Sequence, residues 1–120
     1  MAQLKPLLLH AHPTGPNPLK IAVMLELLQL SYDVKLWALG SNPGGIKSGA
    51  LRDLNPNERL PILEDPNTDV TSWESGAVIN YLLREYDGGN KFGPRGGKQE
   101  QVDFEKWNLF LLTNLGPMIG

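Results

Sequence analysis

The sequence of 120 residues contains no cysteine. This absence excludes disulfide bonds, a thiolate nucleophile and any metal site built on cysteine ligands. Any thiol that takes part in a reaction of this protein must therefore belong to a bound molecule. Histidine is scarce as well, because only His10 and His12 are present. Two histidines without a supporting cluster of ligand residues predict no metal site.

The sequence also lacks a strong charge of one sign and a long apolar run. Its formal net charge is −2, and no basic stripe appears, so nucleic-acid binding is not expected. The apolar run within residues 1–9 is broken by Pro6 and is too short for a signal peptide, and no stretch is long enough to span a membrane. We therefore expect a cytoplasmic protein without a membrane partner. A hydrophobic content of 41% with 20% charged residues is typical of a globular domain with a core.

The first forty residues predict a strand, a helix and a second strand. Residues 5–11 hold a continuous apolar run typical of a buried strand, and residues 32–39 alternate partially. Between them, Asn17 is predicted to cap a helix whose first residue is Pro18 and which continues over residues 19–30. Such a βαβ unit favours parallel strands joined by a right-handed crossover.

The middle of the chain predicts a loop followed by a hairpin. Residues 40–49 are rich in glycine, serine, asparagine and proline and are predicted to be a loop. A short helix is expected within residues 47–54, ended by an Asn-Pro pair. Two short apolar strands follow, residues 60–63 and 70–73, joined by a turn rich in proline and asparagine.

A second helix opens at Glu74-Ser75-Gly76, directly after the hairpin. A helix start has unpaired N–H groups and the positive end of the helix dipole, and Ser75 adds a hydroxyl, so a carboxylate or phosphate fits there.

The βαβ and ββα halves together predict an α/β fold with a four-stranded mixed sheet, the thioredoxin-like architecture. The composition of residues 88–98 predicts a linker. Residues 99–115 predict a helix with an apolar stripe, stopped at Gly116-Pro117.

Three motifs at this spacing carry a resemblance to a known family: Asn55-Pro56-Asn57 before Arg59-Leu60-Pro61, the helix opening Trp73-Glu74-Ser75, and its continuation Ile79-Asn80-Tyr81-Leu82. The block resembles the glutathione-binding half of the soluble glutathione S-transferases. It is most similar to the fungal and bacterial group that includes the yeast nitrogen regulator with a transferase fold.

The resemblance implies a domain organisation. Residues 1–87 would form the thioredoxin-like glutathione-binding domain, residues 88–98 the linker, and residues 99–120 the first helix of an all-α domain. Because the sequence stops where that helical domain begins, we expect a fragment or a shortened gene product. We also expect a homodimer.

The resemblance also implies how the tripeptide glutathione would be held. The N–H groups and hydroxyl at Ser75 would bind the γ-glutamyl carboxylate, and Glu74 would accept from the ammonium group. The backbone of Leu60, before a cis bond to Pro61, would pair with the cysteinyl unit. Lys47 would face the glycyl carboxylate.

The thiol of glutathione needs a donor that stabilises its thiolate. The resemblance assigns this catalytic role to Asn17, with Thr14 beside it, and His12 lies in the same loop. Much of the family uses serine or tyrosine here, whereas the group of the yeast regulator also has asparagine. An amide is neutral and should stabilise a thiolate less than a well-tuned hydroxyl, which weakens the case for strong conjugating activity.

Three functions remain open from the sequence. The first is a transferase that binds glutathione and activates its thiol for addition to a small electrophile, or for a glutathione-assisted elimination or isomerisation. The second is a non-catalytic glutathione-binding or regulatory module with a transferase fold. The third is an inactive fragment that dimerises or swaps its last helix. For each site residue a structural role competes: Asn17 and Ser75 as helix caps, Glu74 as a first-turn acid, and Lys47 as a surface lysine.

Overall fold

The computed structural model describes residues 3–119. Met1, Ala2 and Gly120, which the predicted domains include, lie outside the described residues. The chain divides into two compact units, Met1–Ile79 and Asn80–Gly120. No result tests the predicted domain boundaries, which therefore stay predictions.

The elements follow one another in the order β1 (Leu7–Ala11), α1 (Pro16–Leu27), β2 (Tyr32–Leu36), β3 (Ile62–Asp65), β4 (Val70–Trp73), α2 (Ser75–Tyr86), α3 (Lys98–Phe110), a π-helix (Leu111–Leu115) and α4 (Gly116–Ile119). None of the helices in residues 3–119 has the length and apolar character needed to cross a lipid bilayer.

The four strands form one mixed sheet in the order β2-β1-β3-β4. β1 runs parallel to β2 and antiparallel to β3, and β3 runs antiparallel to β4. The parallel strands β1 and β2 are joined through α1, and the antiparallel strands β3 and β4 through a tight turn, as their connection lengths require. The predicted thioredoxin-like sheet is confirmed.

The sheet buries different groups on its two faces, because successive side chains of a strand point to opposite sides. One face carries the buried Leu9 and Ala11 of β1 and lies against α1, which buries Ile21 and Leu25. The other face carries Ile62, which packs with Trp37 and Leu51 in a buried apolar cluster. We call this group the Trp37 cluster; it is completed by partly buried side chains of Ile46, Leu54, Leu60 and Trp73.

A loop rather than a helix covers this second face, so the short helix expected within residues 47–54 is wrong. The N–H groups of Leu54 and Asn55 both donate to the Leu51 carbonyl, at 3.0 and 2.8 Å. This single turn goes no further because the Asn55 amide turns back to donate to the Arg59 carbonyl at 2.9 Å. The next residue, Pro56, has no N–H to continue a helical ladder.

Two helix ends also differ from the sequence prediction. α1 begins at Pro16 with Gly15 as its N-cap, so Asn17 is its second residue and not its cap. Both Pro16 and Pro18 are tolerated because the first N–H groups of a helix have no partner within it.

The last helix does not stop at Gly116-Pro117, since helical geometry continues through Gly116–Ile119. The wider π-helix Leu111–Leu115 precedes this point, and the Gly116 N–H donates to the Leu111 carbonyl. Pro117 has no N–H and cannot donate the hydrogen bond that an α-helix makes at its position. The π-helix before it already interrupts the α-helical pattern of hydrogen bonds, so this bond is lost at a point where the pattern is broken in any case.

Candidate functional site

The register of the sheet brings three of the predicted site segments to one edge. His10 near the end of β1 pairs with Ile62 at the start of β3, and Ile62 pairs with Trp73 at the end of β4. The residues just beyond these pairs are the loop that leads into α1, the Leu60-Pro61 pair, and Glu74-Ser75. These segments therefore lie beside one another, although they are far apart in sequence.

Ser75 and Glu74 form the start of α2 and differ sharply in environment. Ser75 is the first helical residue and is only 4% exposed, yet its hydroxyl has no hydrogen-bond partner in the described part of the chain. Glu74 is exposed, and its carbonyl accepts from the Val78 N–H at 2.9 Å. The backbone of Glu74 has a φ of 69°, in the left-handed region that non-glycine residues seldom adopt. Such backbone conformations concentrate at binding sites, where the surrounding structure enforces them.

The Leu60-Pro61 bond is cis, as the resemblance implies. Pro61 is buried, whereas Leu60 is partly exposed and packs its side chain against the Trp37 cluster. β3 begins only at Ile62, so the Leu60 backbone lies outside the ladder of the sheet. Within the described residues, no hydrogen bond occupies the N–H or C=O of Leu60. These groups are free to pair with an extended peptide.

The loop between β1 and α1 carries the residues expected at the thiol. The His12 ring lies against Gly15, where a Cβ atom would come within 2.4 Å of the ring. Thr14 is exposed, and its Oγ1 lies 3.5 Å from His12 Nδ1, at the limit of a hydrogen bond. Asn17 is exposed, and its side chain has no partner in the described part of the chain. Because its neighbours Pro16 and Pro18 lack the group, Asn17 has the only backbone N–H of residues 16–18.

An apolar groove of about 410 Å³ adjoins this loop. Its walls are the sheet surface, the loop and the first turns of α1, with side chains that include Leu9, Ala11, Val34, Leu36 and Leu19. Leu36 and Leu19 are 61% and 64% exposed, which makes the groove an open apolar surface beside Thr14.

Among the predicted site residues, Lys47 is the one for which the structure shows the least connection to the rest of the site. It lies in the loop after β2, where its N–H donates to the Gly40 carbonyl at 2.8 Å. Its side chain is exposed, and no ion pair involves its ammonium group within the described residues. The loop that carries it is held by Ile46 and Leu54 against the Trp37 cluster.

Sequence reasoning missed a buried polar network beneath this loop. His10 is 3% exposed, and its Nδ1 accepts from the Trp37 indole N–H at 3.0 Å. Its Nε2 lies 2.6 Å from the Glu64 carboxylate. The signal in the sequence was a histidine inside an apolar strand, but only the register shows which side chains share its face. The described part of the chain contains no group of three or more histidine or acidic side chains that could hold a metal ion.

Comparison with known proteins agrees with this geometry. A family model described as the N-terminal domain of glutathione S-transferase matches residues 14–85. A glutathione S-transferase-like protein, OpS6 from Beauveria bassiana, is 36% identical over 120 residues, which cover 100% of this chain and 53% of that protein. Protein URE2 from Meyerozyma guilliermondii is 36% identical over 115 residues, 93% of this chain and 38% of that protein.

A solved structure gives the same result for the fold. A glutathione transferase homolog from Lodderomyces elongisporus, with two GSH per subunit, superposes with a TM-score of 0.88 at 34% identity, over 98% of this chain and 55% of that one. The chain thus spans about half the length of OpS6 and of this homolog. The sequence resemblance is confirmed, and the chain belongs to the family of the glutathione S-transferase N-terminal domain.

Proposed function

We propose that this chain binds glutathione at the sheet edge formed by Leu60-Pro61 and Glu74-Ser75, and that it presents the thiol for reaction with a small electrophile. One observation carries the proposal: a nearly buried serine with an unpartnered hydroxyl opens a helix beside a Leu60 backbone that pairs with nothing. The structure of the Lodderomyces elongisporus homolog, which contains GSH, supports the choice of ligand.

Each end of the tripeptide has a complementary group in this arrangement. The first N–H groups of α2 and the Ser75 hydroxyl suit the γ-glutamyl carboxylate, since a helix start favours an anion. The exposed Glu74 carboxylate suits the ammonium group. The Leu60 backbone suits the cysteinyl unit, and Lys47 remains the proposed partner of the glycyl carboxylate.

The catalytic part of the proposal rests on Asn17. Its backbone N–H is the only one among residues 16–18 at the start of α1, and its exposed amide adds a second donor. Donors that point at developing negative charge stabilise a thiolate and the transition state that follows. The open apolar groove beside Thr14 gives an apolar electrophile a surface next to the thiol.

Binding is tested by calorimetric titration of glutathione into the chain and into the Ser75→Ala variant. A hydrogen bond to a charged group contributes about 1.5–3 kcal/mol, so we expect Ser75→Ala to weaken binding about ten- to a hundredfold. The matched control is Ser31→Ala, because Ser31 is exposed and lies before β2, at the opposite edge of the sheet. Equal affinity of the two variants would remove Ser75 from the site.

Catalysis is tested separately, by turnover of glutathione with a panel of small electrophiles. We expect Asn17→Ala to lower kcat about tenfold while glutathione affinity changes little, since the amide acts on the thiolate and the backbone N–H remains. Thr14→Ala is the companion variant in the same loop. Saturable binding without turnover of any electrophile would show that the chain binds glutathione without conjugating it.

A further inference from the structure

The network of His10, Trp37 and Glu64 has a fixed hydrogen-bond direction. The indole N–H of Trp37 can only donate, so His10 Nδ1, 3.0 Å away, must be the acceptor. The ring hydrogen then sits on Nε2 and is donated to the Glu64 carboxylate at 2.6 Å. Both ring nitrogens of a nearly buried histidine are therefore used, and the ring has a single orientation.

The two hydrogen bonds of His10 differ in what their loss would leave behind. Trp37 is 5% exposed, so its N–H has no access to bulk water if the acceptor is removed. The Glu64 side chain is 36% exposed and can be hydrated instead. An unpaired buried donor is far more costly than a carboxylate returned to water. The bond to Trp37 is thus the one that constrains the structure.

Trp37 connects this bond to the proposed glutathione site. Its indole packs against Leu51 and Ile62, and the same cluster holds Ile46, Leu54, Leu60 and Trp73. Ile46 directly precedes Lys47, Leu60 precedes Pro61, and Trp73 precedes Glu74. The ammonium of Lys35 lies 4.4 Å from the indole centroid. A rotation of the indole would therefore displace the segments that carry Lys47, Leu60-Pro61 and Glu74, which the proposed site contains.

We propose that His10 is a positioning residue for glutathione, which acts by holding the Trp37 indole under the loop of residues 46–54 and under Leu60. This inference rests on the proposed function for its ligand, but the ordering of the loop can be measured without any ligand. His10 is only 3% exposed, so it would act on the tripeptide through Trp37.

Two substitutions of His10 separate its two hydrogen bonds. In His10→Asn the amide oxygen takes the place of Nδ1 and can still accept from Trp37. In His10→Gln the amide nitrogen takes the place of Nε2 and can still donate to Glu64, but the acceptor for Trp37 is lost. We expect His10→Asn to bind glutathione within about twofold of the wild type, and His10→Gln to bind about tenfold more weakly.

Amide hydrogen exchange in the free protein tests the loop independently. The N–H groups of Ile46 and Lys47 donate to the carbonyls of Ala38 and Gly40 at 2.9 and 2.8 Å. We expect both to exchange about tenfold faster in His10→Gln than in His10→Asn. The N–H of Gly93, bonded to the Asp87 carboxylate at 2.8 Å, is the internal control and should not change.

The variant Trp37→Phe, which keeps an aromatic ring but removes the indole donor, decides the question if His10→Gln does not fold. It should weaken glutathione binding and speed loop exchange, and in that background His10→Gln should add little. Loop exchange at the wild-type rate in His10→Gln and in Trp37→Phe would overturn the positioning role. A wild-type chain that fails to bind glutathione would overturn the proposed function instead, and the exchange rates would still decide whether His10 orders the loop of residues 46–54.

Discussion

At the scale of single residues, the site combines groups that the sequence identifies with groups that only packing reveals. Ser75 and Glu74 stand out in the sequence because a serine and an acid open an apolar helix after a strand. The burial of Ser75 and the positive φ of Glu74 could not be predicted, since both depend on how β4 turns into α2. His10 could not be assigned a partner because Trp37 and Glu64 are distant in sequence.

The backbone of Glu74 allows its binding role to be separated from a structural one. A positive φ costs a non-glycine residue about 1–2 kcal/mol, and Glu74→Gly removes this cost. The gain offsets the larger backbone entropy that glycine loses on folding. We expect stability to stay within about 0.5 kcal/mol of the wild type and glutathione affinity to fall about tenfold because the ammonium loses its acceptor.

The control for this substitution is Asp69→Gly. Asp69 is also an exposed acid at positive φ, 58°, but it lies in the turn between β3 and β4 at the far end of the hairpin. It should show a similar stability and unchanged affinity, as measured by urea unfolding and calorimetry. If Glu74→Gly bound glutathione as tightly as Asp69→Gly does, Glu74 would be a structural residue only.

At the scale of elements, the strands were predicted better than the helix ends. The order of the elements and the mixed sheet follow from apolar runs separated by dense turn signals. Asn17 was wrongly predicted as a cap because proline is accepted at several positions of a first turn, and the sequence does not show which one begins the helix. The helix expected before Asn55 is a single turn, because its apolar residues serve the Trp37 cluster rather than a helical face.

The segment after α2 is organised by one carboxylate. Asp87 accepts hydrogen bonds from the N–H groups of Lys91, Phe92 and Gly93 at 2.8, 3.0 and 2.8 Å. Burial alone raises the pKa of Asp87, but these three donors and the charge of Arg95 outweigh it and lower the pKa below the ordinary value of 3.8. The ionised carboxylate is therefore the form that the folded segment prefers.

This preference predicts how stability responds to pH. The pKa of Asp87 is lower in the folded chain than in the unfolded chain. The contribution of its carboxylate to the free energy of unfolding is therefore complete above about pH 4 and is lost as the pH falls through the folded pKa. Asp87→Asn should unfold at lower urea concentration at pH 7, and the difference from the wild type should shrink as the pH is lowered below about 4. Asp53→Asn is the control, since Asp53 is exposed and has no partner within the described residues. A difference between wild type and Asp87→Asn that is constant with pH would contradict this account.

At the scale of the whole molecule, the proposed glutathione site lies within the unit Met1–Ile79. The chain covers about half of OpS6 and of the homolog from Lodderomyces elongisporus, so the electrophile and the partner subunits are proposals rather than findings. The homodimer predicted from the sequence stays a prediction. What this unit supplies by itself is the sheet edge with Leu60-Pro61, Ser75 and the loop before α1.

The central claim is that glutathione occupies this edge, and a ¹H–¹⁵N correlation spectrum of the chain during titration with glutathione tests it most directly. We predict the largest shifts at the amides of Leu60, Ser75 and Gly76, and none at Asn67 and Val70, which lie at the far end of the β3–β4 hairpin. Shifts centred on that far end, or no shifts in a large excess of glutathione, would contradict the account.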